Sequence, residues 1–450
     1  MKGNLRALAL AGVSGAVLAL GVSDAMAGAF GIREQSTIAA GLADAGAASG
    51  AGGVSSMFWN PATVTMRPGW VSEQNFTFIN LSGDIRTQPG TSPGFAALGN
   101  SGEIGQGAVV PSGATSYQLN DRLWVGLQTG APFGLVTKPN PVWAGEVYAR
   151  SSRIFSLNIN PVIGYKVNEW LSVAAGPTFE YFKLNLKSAF PFSPLIPPAN
   201  LPTAILKGES WGVGFTAGVL VTPWAGTQVG VGYRSSVNHG IEGLLLLPPI
   251  NPLIAPKTAV KAILDTPDKV SFGITQALSP VARVNFGFEW DNWSRLGVIP
   301  VTSIVTGAAV QALPLNYKDG FTYSVGAEYD WSPALTVRAG VSYEQSPIDF
   351  SNRSARLPDA DRINLAVGAS YRWSEKLTLN AAYSHLFVDR GRLLAGPGRD
   401  YDSRYIAAPA IPITFAGLAE GSADIVSVGF RYVFGEPAAP IAPAPLVRKY

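Results

Sequence analysis

The chain has 450 residues, 50 of them glycine and none cysteine, so neither a disulfide framework nor a thiolate metal site is available to it. Its formal net charge of +3, or +2 once Lys2, Arg6 and Asp24 leave with the leader described next, points to no nucleic-acid partner. Mean hydropathy is +0.18, yet beyond Gly28 no run of about 18 apolar residues would make a transmembrane helix, so the apolar content is spread over many half-apolar segments. The N-terminus carries Lys2 and Arg6, then an apolar or small stretch from Ala7 to Val22, then Ala25-Met26-Ala27. A charged start, an apolar middle and a small-x-small site make residues 1–27 a secretory signal peptide, with the mature chain beginning at Gly28. The alternative is an uncleaved N-terminal anchor in which the small residues are accidental.

Residues 28–68 differ from everything after them. They are rich in Gly and Ala, hold few large apolar residues before Met57-Phe58-Trp59, and continue into Asn60-Pro61-Ala62. No period-two pattern persists there, and glycine at this density makes a long helix costly. Two readings stay open from composition: a flexible periplasmic leader, or a compact plug whose small residues allow close packing.

From residue 69 to 434 the chain alternates. Ile363, Leu365, Val367, Ala369 and Tyr371 share one parity, while Asn364, Ala366, Gly368, Ser370 and Arg372 share the other. The same split occurs from Phe321 to Tyr329 and from Leu335 to Glu344. Successive strand side chains point to opposite faces, so each segment has an apolar face and a small or polar one. Short turns at residues 119–122, 167–169, 222–226, 278–280, 330–333 and 373–375 join such segments into six hairpins, and their Asn, Asp, Ser, Pro and Gly content is ordinary turn chemistry. Between the hairpins lie long irregular stretches at 83–107, 131–151, 188–209, 242–265, 295–316, 346–360 and 389–421. With a first strand at Trp70–Ser82 and a last at Ser422–Phe434, the count is fourteen. An even number of strands, short turns on one rim and long loops on the other, is the pattern of a transmembrane β-barrel of the outer membrane. A soluble sandwich has no reason to sort its connections this way. Residues 435–450, rich in Pro and Ala, read as a disordered periplasmic tail.

Catalytic and metal chemistry is sparse. The two histidines, His239 and His385, lie near loop-side strand ends and read as surface or girdle residues. Ser384 precedes His385, but strand neighbours face opposite ways, so no hydrolase pair is expected from them. The long loops are apolar instead: Phe190, Phe192 and Leu195 lie in one, Leu245 and Leu247 in another. Exposed apolar loops mark a binding site, or loops that pack on one another to close the barrel top. In Trp170–Lys187, Leu171, Val173, Phe179 and Tyr181 share one parity, but Phe182, Leu184 and Leu186 take the other. The switch predicts a β-bulge, beyond which Lys183, Asn185 and Lys187 point into the lumen as partners for a carboxylate, unless they are simply solvated near the loops. Gly130-Ala131-Pro132-Phe133-Gly134 interrupts a strand, as an ordinary strand end or as a gap in the wall.

These pieces together resemble the FadL/TodX family of outer-membrane transporters for long-chain fatty acids and other hydrophobic compounds. The similarity runs from Gly28 to Phe434. It rests on the Gly/Ala-rich start ending in Phe58-Trp59-Asn60-Pro61-Ala62, and on Tyr317-Lys318-Asp319 through Ser346-Pro347, Arg353, Leu357-Pro358-Asp359 and Asp361-Arg362 to Ala369. The resemblance implies an N-terminal hatch (plug) inside the lumen, formed by residues 28–68, with Asn60, Pro61 and Ala62 in it. It implies capture of ligand by the outer loops, an interior pocket, and lateral release through a kinked strand, with Gly134 at the kink. It places Lys187 as a basic head-group ligand, and puts Leu313 where a second basic residue belongs, with Lys318 nearby. That departure leaves room for a neutral substrate such as an aromatic hydrocarbon. The expected partners are fatty acids or other hydrophobic small molecules and outer-membrane lipid, with a monomeric barrel, no cofactor and no enzymatic activity. A general diffusion porin and a surface adhesin are the other classes, separated by ion conductance and by surface binding.

Overall fold

The computed structural model describes residues 28–193, 195–249, 255–399, 402 and 412–435. The expected signal peptide, the tail beyond Gly435, and Leu253-Ile254 of the second apolar loop lie outside them. The strands are β1 (Trp70–Thr87), β2 (Gly107–Gln118), β3 (Leu123–Gly130), β4 (Gly134–Thr137), β5 (Ser151–Lys166), β6 (Leu171–Ala189), β7 (Thr203–Val221), β8 (Thr227–Arg234), β9 (Asn238–Leu246) and β10 (Lys257–Asp265). They continue as β11 (Lys269–Ala277), β12 (Ala282–Asp291), β13 (Val298–Ser303), β14 (Ala309–Pro314), β15 (Gly320–Asp330), β16 (Leu335–Gln345), β17 (Arg362–Arg372), β18 (Leu377–Ala395) and β19 (Phe415–Phe434).

These segments make a closed antiparallel barrel of fourteen wall strands. β3/β4, β8/β9 and β10/β11 are each one wall strand interrupted by three residues, and β13–β14 is an added hairpin between β12 and β15. The six short turns fall where the alternation places them. Closure comes from β19, which pairs with β18 on one side and with β1 on the other, from Trp70 opposite Phe434 to Thr87 opposite Gly417. The Trp70 and Phe434 rings stack at 4.3 Å across that seam. Several strands run past their expected ends: β1 reaches Thr87, and β19 starts at Phe415. Gly and polar residues blur the alternation there, but the extensions still pair with each other.

Ile363, Leu365, Val367 and Tyr371 are exposed, while Ala366 and Ser370 on the other parity are buried. The apolar face therefore looks outward, to lipid, and the small, polar face looks into a filled lumen. The filling is the N-terminal segment: a short helix α1 (Thr37–Ala40) and 3-10 turns at Ala47–Ser49, Gly53–Phe58 and Pro61–Met66. Ser36 caps α1, its Oγ accepting from the Ala39 amide at 3.2 Å. Asn60 caps the last turn, with Pro61 at its first position where no amide donor is needed. The wall accommodates this backbone with inward-facing glycines. A Cβ at Gly232 would strike the Trp59 carbonyl, and one at Gly340 the Leu42 carbonyl. Charged groups fix the orientation of the hatch. Arg33 pairs with Asp44 at 3.2 Å and with Glu289 of the wall, while Lys269 reaches Glu289 at 2.7 Å and Asp291 at 2.9 Å. Buried ions are costly unless paired, so this cluster favours one seating of the hatch over others.

Candidate functional site

Above the hatch the lumen turns from polar to apolar. A cavity of about 590 Å³ is lined by Phe30 of the hatch, by Leu135, Ile154, Phe182, Leu184 and Leu264 of the wall, and by Leu313, Tyr317, Arg356 and Leu357 of the loops. A second cavity of about 390 Å³ shares Leu184, Leu264, Ile299 and Leu313 with the first and extends to Leu206, Ile241, Val260 and Val301. Phe30 is the floor. Its ring lies 4.8 Å from Trp293, 5.8 Å from Phe133 and 6.2 Å from Phe182, all edge-on, a geometry that aromatic quadrupoles favour. Beneath it a polar cavity of about 460 Å³ is bordered by Arg33, Arg234, Lys269, Asp291 and Glu344.

The wall is open beside this floor. β2 pairs with β3 only from Gly113 opposite Thr129 downwards. Beyond Gly130 the chain turns inward, so Gly107 to Ser112 of β2 pair with β1 but with no β3 residue. The inturned residues pair with the hatch instead. Phe133 bridges to Gly31, the Ile32 amide donates to the Pro132 carbonyl at 2.7 Å, and the Gly134 amide donates to the Phe30 carbonyl at 2.9 Å. Pro132 has no amide to give a ladder, which is why the interruption falls here. Gly134 opens β4 and sits so close to Ile32 that a Cβ would meet its Cδ1 at 2.7 Å.

The loop at residues 346–361 roofs the cavity with Ser354, Arg356 and Leu357. Asp359 is its anchor: it accepts from the Ala29 amide at 3.1 Å and from the Ser346 hydroxyl, and it pairs with Arg362. Arg353 Nε donates to the Asp359 carbonyl at 2.6 Å, and Asp361 accepts from the Ser346 amide at 2.9 Å. The hatch start is tied to the same assembly, with the Gly28 nitrogen 2.6 Å from Glu344 Oε1. Pocket roof and hatch tip are thus mechanically joined.

Of the residues singled out from sequence, Phe190, Leu245 and Leu247 are buried together in an apolar cluster with Leu186, Leu206 and Val301, and Phe192 packs on it. They close the barrel top around the second cavity. Leu195 stands apart, 87% exposed. Asn60, Pro61 and Ala62 lie in the hatch, where Asn60 Nδ2 donates to the carbonyls of Ala48 at 2.8 Å and Val219 at 2.9 Å. Two cations, Lys183 and Lys187, are not where the alternation argument puts them, and Lys318, which the resemblance brings near the second basic position, is off the cavity too. β6 pairs with β7 in one unbroken register from Leu171 opposite Val221 to Ala189 opposite Thr203, so it has no bulge. Phe182 and Leu186 face inward because the upper lumen is itself apolar, and Lys183 and Lys187 therefore share the outward parity. Lys183 pairs outside with Glu209 at 2.9 Å. Lys318 is 70% exposed and pairs with Asp349 at 2.8 Å, away from the cavity lining. The cation lining the first cavity is Arg356; neither it nor Phe30, Phe182 or Trp293 carries a signal of this role in the sequence.

His239 also departs from its expected surface place. It is fully buried, with Nε2 3.0 Å from Glu180 Oε1 and Nδ1 3.0 Å from Ser210 Oγ. The two contacts fit one tautomer, with Nε2–H donating to Glu180 and Nδ1 accepting from the serine hydroxyl. Sequence could not find this group, because its members come from β6, β7 and β9 and meet only through barrel closure. The Phe182 ring lies 5.2 Å from the imidazole, between this polar layer and the cavity. Among the described residues no cluster of His, Cys, Asp and Glu is placed to hold a metal ion.

Residues 18–434 match the profile of the outer membrane protein transport proteins (OMPP1/FadL/TodX). The chain belongs to this family. It is 23% identical over 448 residues to a long-chain fatty acid transport protein of Escherichia coli O6:H1, covering 93% of this chain and 97% of that protein. It is 24% identical over 381 residues to outer membrane protein P1 of Haemophilus influenzae, covering 76% and 82%. Among solved structures, a Pseudomonas aeruginosa FadL homologue superposes with a TM-score of 0.80 at 21% identity, over 90% of this chain and 100% of that one. The Pseudomonas putida toluene transporter TodX gives 0.64 at 16% identity, over 89% and 99%. The protein is an outer-membrane β-barrel transporter of the FadL/TodX family, and the members matched here are transporters rather than enzymes.

Proposed function

We propose that this barrel takes up long-chain fatty acids or similar hydrophobic molecules, without energy coupling, by loop capture, burial in the cavity above Phe30, and lateral release between β2 and β3. The apolar top cluster and the second cavity receive the ligand from outside, and the first cavity holds it. The observation that carries the reading is the juxtaposition of that cavity's floor with the open edge of β2. One element, Phe30 to Ile32 of the hatch, closes both. Moving it would weaken the pocket and clear the path to lipid in the same step, and release needs such a difference in affinity between two states.

Pinning that element tests the mechanism. Gly31 and Phe133 are a non-hydrogen-bonded antiparallel pair, flanked by the bonds at Ile32 and Gly134; such pairs sit about 4.5 Å apart at Cα, within disulfide range. The chain has no other cysteine to compete. In the Gly31→Cys/Phe133→Cys variant, oxidation is expected to lower oleate uptake by cells at least about tenfold while purified protein still binds oleate, and dithiothreitol to restore uptake. Uptake at the wild-type rate in the oxidised protein would remove the gate.

A further inference from the structure

The outer surface of the barrel collects cations on one side, just below the long loops. β5, β6, β7, β9 and β10 lie next to one another there, and their pairing sets three outward-facing rows: Lys187 and Lys257 in the first, Arg153 and Lys207 in the second, Lys183 and Lys261 in the third. Glu209 and Glu242, both in the third row, are the carboxylates of these rows. Lys183 takes Glu209 at 2.9 Å. Among the described residues no carboxylate forms an ion pair with Lys187, Lys207, Lys257 or Lys261, and all of these but the half-buried Lys187 are exposed. On the same face, one step further from the loops, the rings of Tyr181 and Trp211 lie 5.3 Å apart. Tyr and Trp mark the level where lipid tails give way to head groups. Long loops are the external ones in such barrels, so the cations stand in the head-group layer of the outer leaflet. Elsewhere on this rim the protein answers its own cations. On β1, β18 and β19, Arg86 pairs with Glu420 at 3.1 Å and Asp84 at 3.4 Å, and Arg390 pairs with Glu420 at 2.9 Å. The uncompensated positive charge is local to the β5–β10 face.

We propose that this face is a binding site for the phosphorylated glycolipid of the outer leaflet, lipid A, with its phosphates on the lysine rows and its acyl chains on the exposed Phe179, Val213 and Ile263 below them. At about 4.8 Å between strands and about 3.3 Å per residue, the rows span roughly 19 by 13 Å. That is wider than one phosphate and suits a head group carrying two. Lysine stems lie along an apolar wall while their ammonium groups reach outward, and basic clusters at this level attract anionic lipid. A phospholipid with a single phosphate would answer only part of the patch. The site lies outside the lumen and does not depend on the transport reading.

The test adds diphosphoryl lipid A, its dephosphorylated form or phosphatidylglycerol to purified full-length protein in detergent, and reads bound lipid by native mass spectrometry. Wild type should hold diphosphoryl lipid A most tightly. The Lys187→Gln/Lys207→Gln/Lys261→Gln variant should lose at least about tenfold in that affinity, while Arg86→Gln/Arg390→Gln, on the other side of the rim, should keep it. Lys207→Gln alone should lose several-fold, and carries the test if the triple variant does not assemble. Equal lipid A binding by wild type and the lysine variants, or an equal loss in Arg86→Gln/Arg390→Gln, would overturn the site. Wild type holding phosphatidylglycerol or the dephosphorylated form as tightly as diphosphoryl lipid A would overturn the choice of head group.

Discussion

Asp349 shows how single residues hold the pocket roof in place. It accepts from Lys318 Nζ at 2.8 Å and from Ser351 and Asn352 at 3.0 Å each. Burial opposes its ionisation, but these hydrogen bonds outweigh burial and hold the carboxyl at about 2. An unfolded aspartate titrates near 3.9. The folded value is the lower one, so the stabilisation is complete above about pH 4 and is lost as pH falls through about 2. Pepsin, active across that range, should cut within residues 346–361 at about pH 2 and spare them near pH 4. Asp349→Asn should be cut at both values; equal resistance of variant and wild type at pH 4 would show that this tether does not hold the loop. At this scale sequence was a poor guide. Arg356 lies inside a stretch that the resemblance rests on, yet nothing in its neighbours signals that it borders the cavity. That depends on Ser151, Ser152 and Lys187, whose oxygens accept from its Nη1 and which are distant in the chain. Lys183 misled for a related reason: its parity is visible in the sequence, but which face is the lumen was inferred from apolarity, and the upper lumen is apolar.

Strands and turns were far more legible. Alternation in β15, β16 and β17 requires no knowledge of distant residues, and turn chemistry at 373–375 is local. The small, polar face carried a further message. Gly326, Gly340, Gly368 and Gly429 lie on it because hatch residues rest against them, Leu42 on the first two, Gly41 on the third and Thr37 on the last. The wall sequence thus records the path of the hatch, which the hatch's own sequence leaves open between plug and leader. Gly340→Val tests this. The added side chain would meet the backbone of Leu42, which cannot swing aside as a side chain can, at a cost of roughly 1–3 kcal/mol or more. The outward face of β16 is untouched, so the barrel should still insert and show heat-modifiable mobility. The hatch should seat poorly, giving ion-conducting openings in planar bilayers that wild type lacks. Silent bilayers with normally assembled variant protein would mean that the hatch tolerates displacement at this contact.

For the molecule as a whole, the physical question is how an apolar ligand ever leaves. Each methylene buried is worth roughly 0.8 kcal/mol relative to water, so a chain of about fifteen methylenes gains about 12 kcal/mol, an affinity near nanomolar if little of it is lost elsewhere. Exit downward through the polar cavity and the hatch would return that chain to water and forfeit the gain. Exit through the opened edge of β2 passes it to lipid, as apolar as the cavity, at almost no hydrophobic cost. On the proposed side route the barrel needs only to move Phe30 and its neighbours, not to supply energy. The side route makes a positional prediction. Val109 faces outward on the unpaired edge of β2, and Val341 faces outward on β16, where both neighbours are paired. A benzophenone amino acid at residue 109 should crosslink radiolabelled palmitate during uptake several-fold more than one at residue 341. Adding the oxidised cysteine pair at 31 and 133 should bring residue 109 down to the level of 341, because ligand then stays in the cavity. Equal labelling at the two positions without the disulfide would mean that ligand reaches them only by partitioning through lipid, and would send the exit path elsewhere.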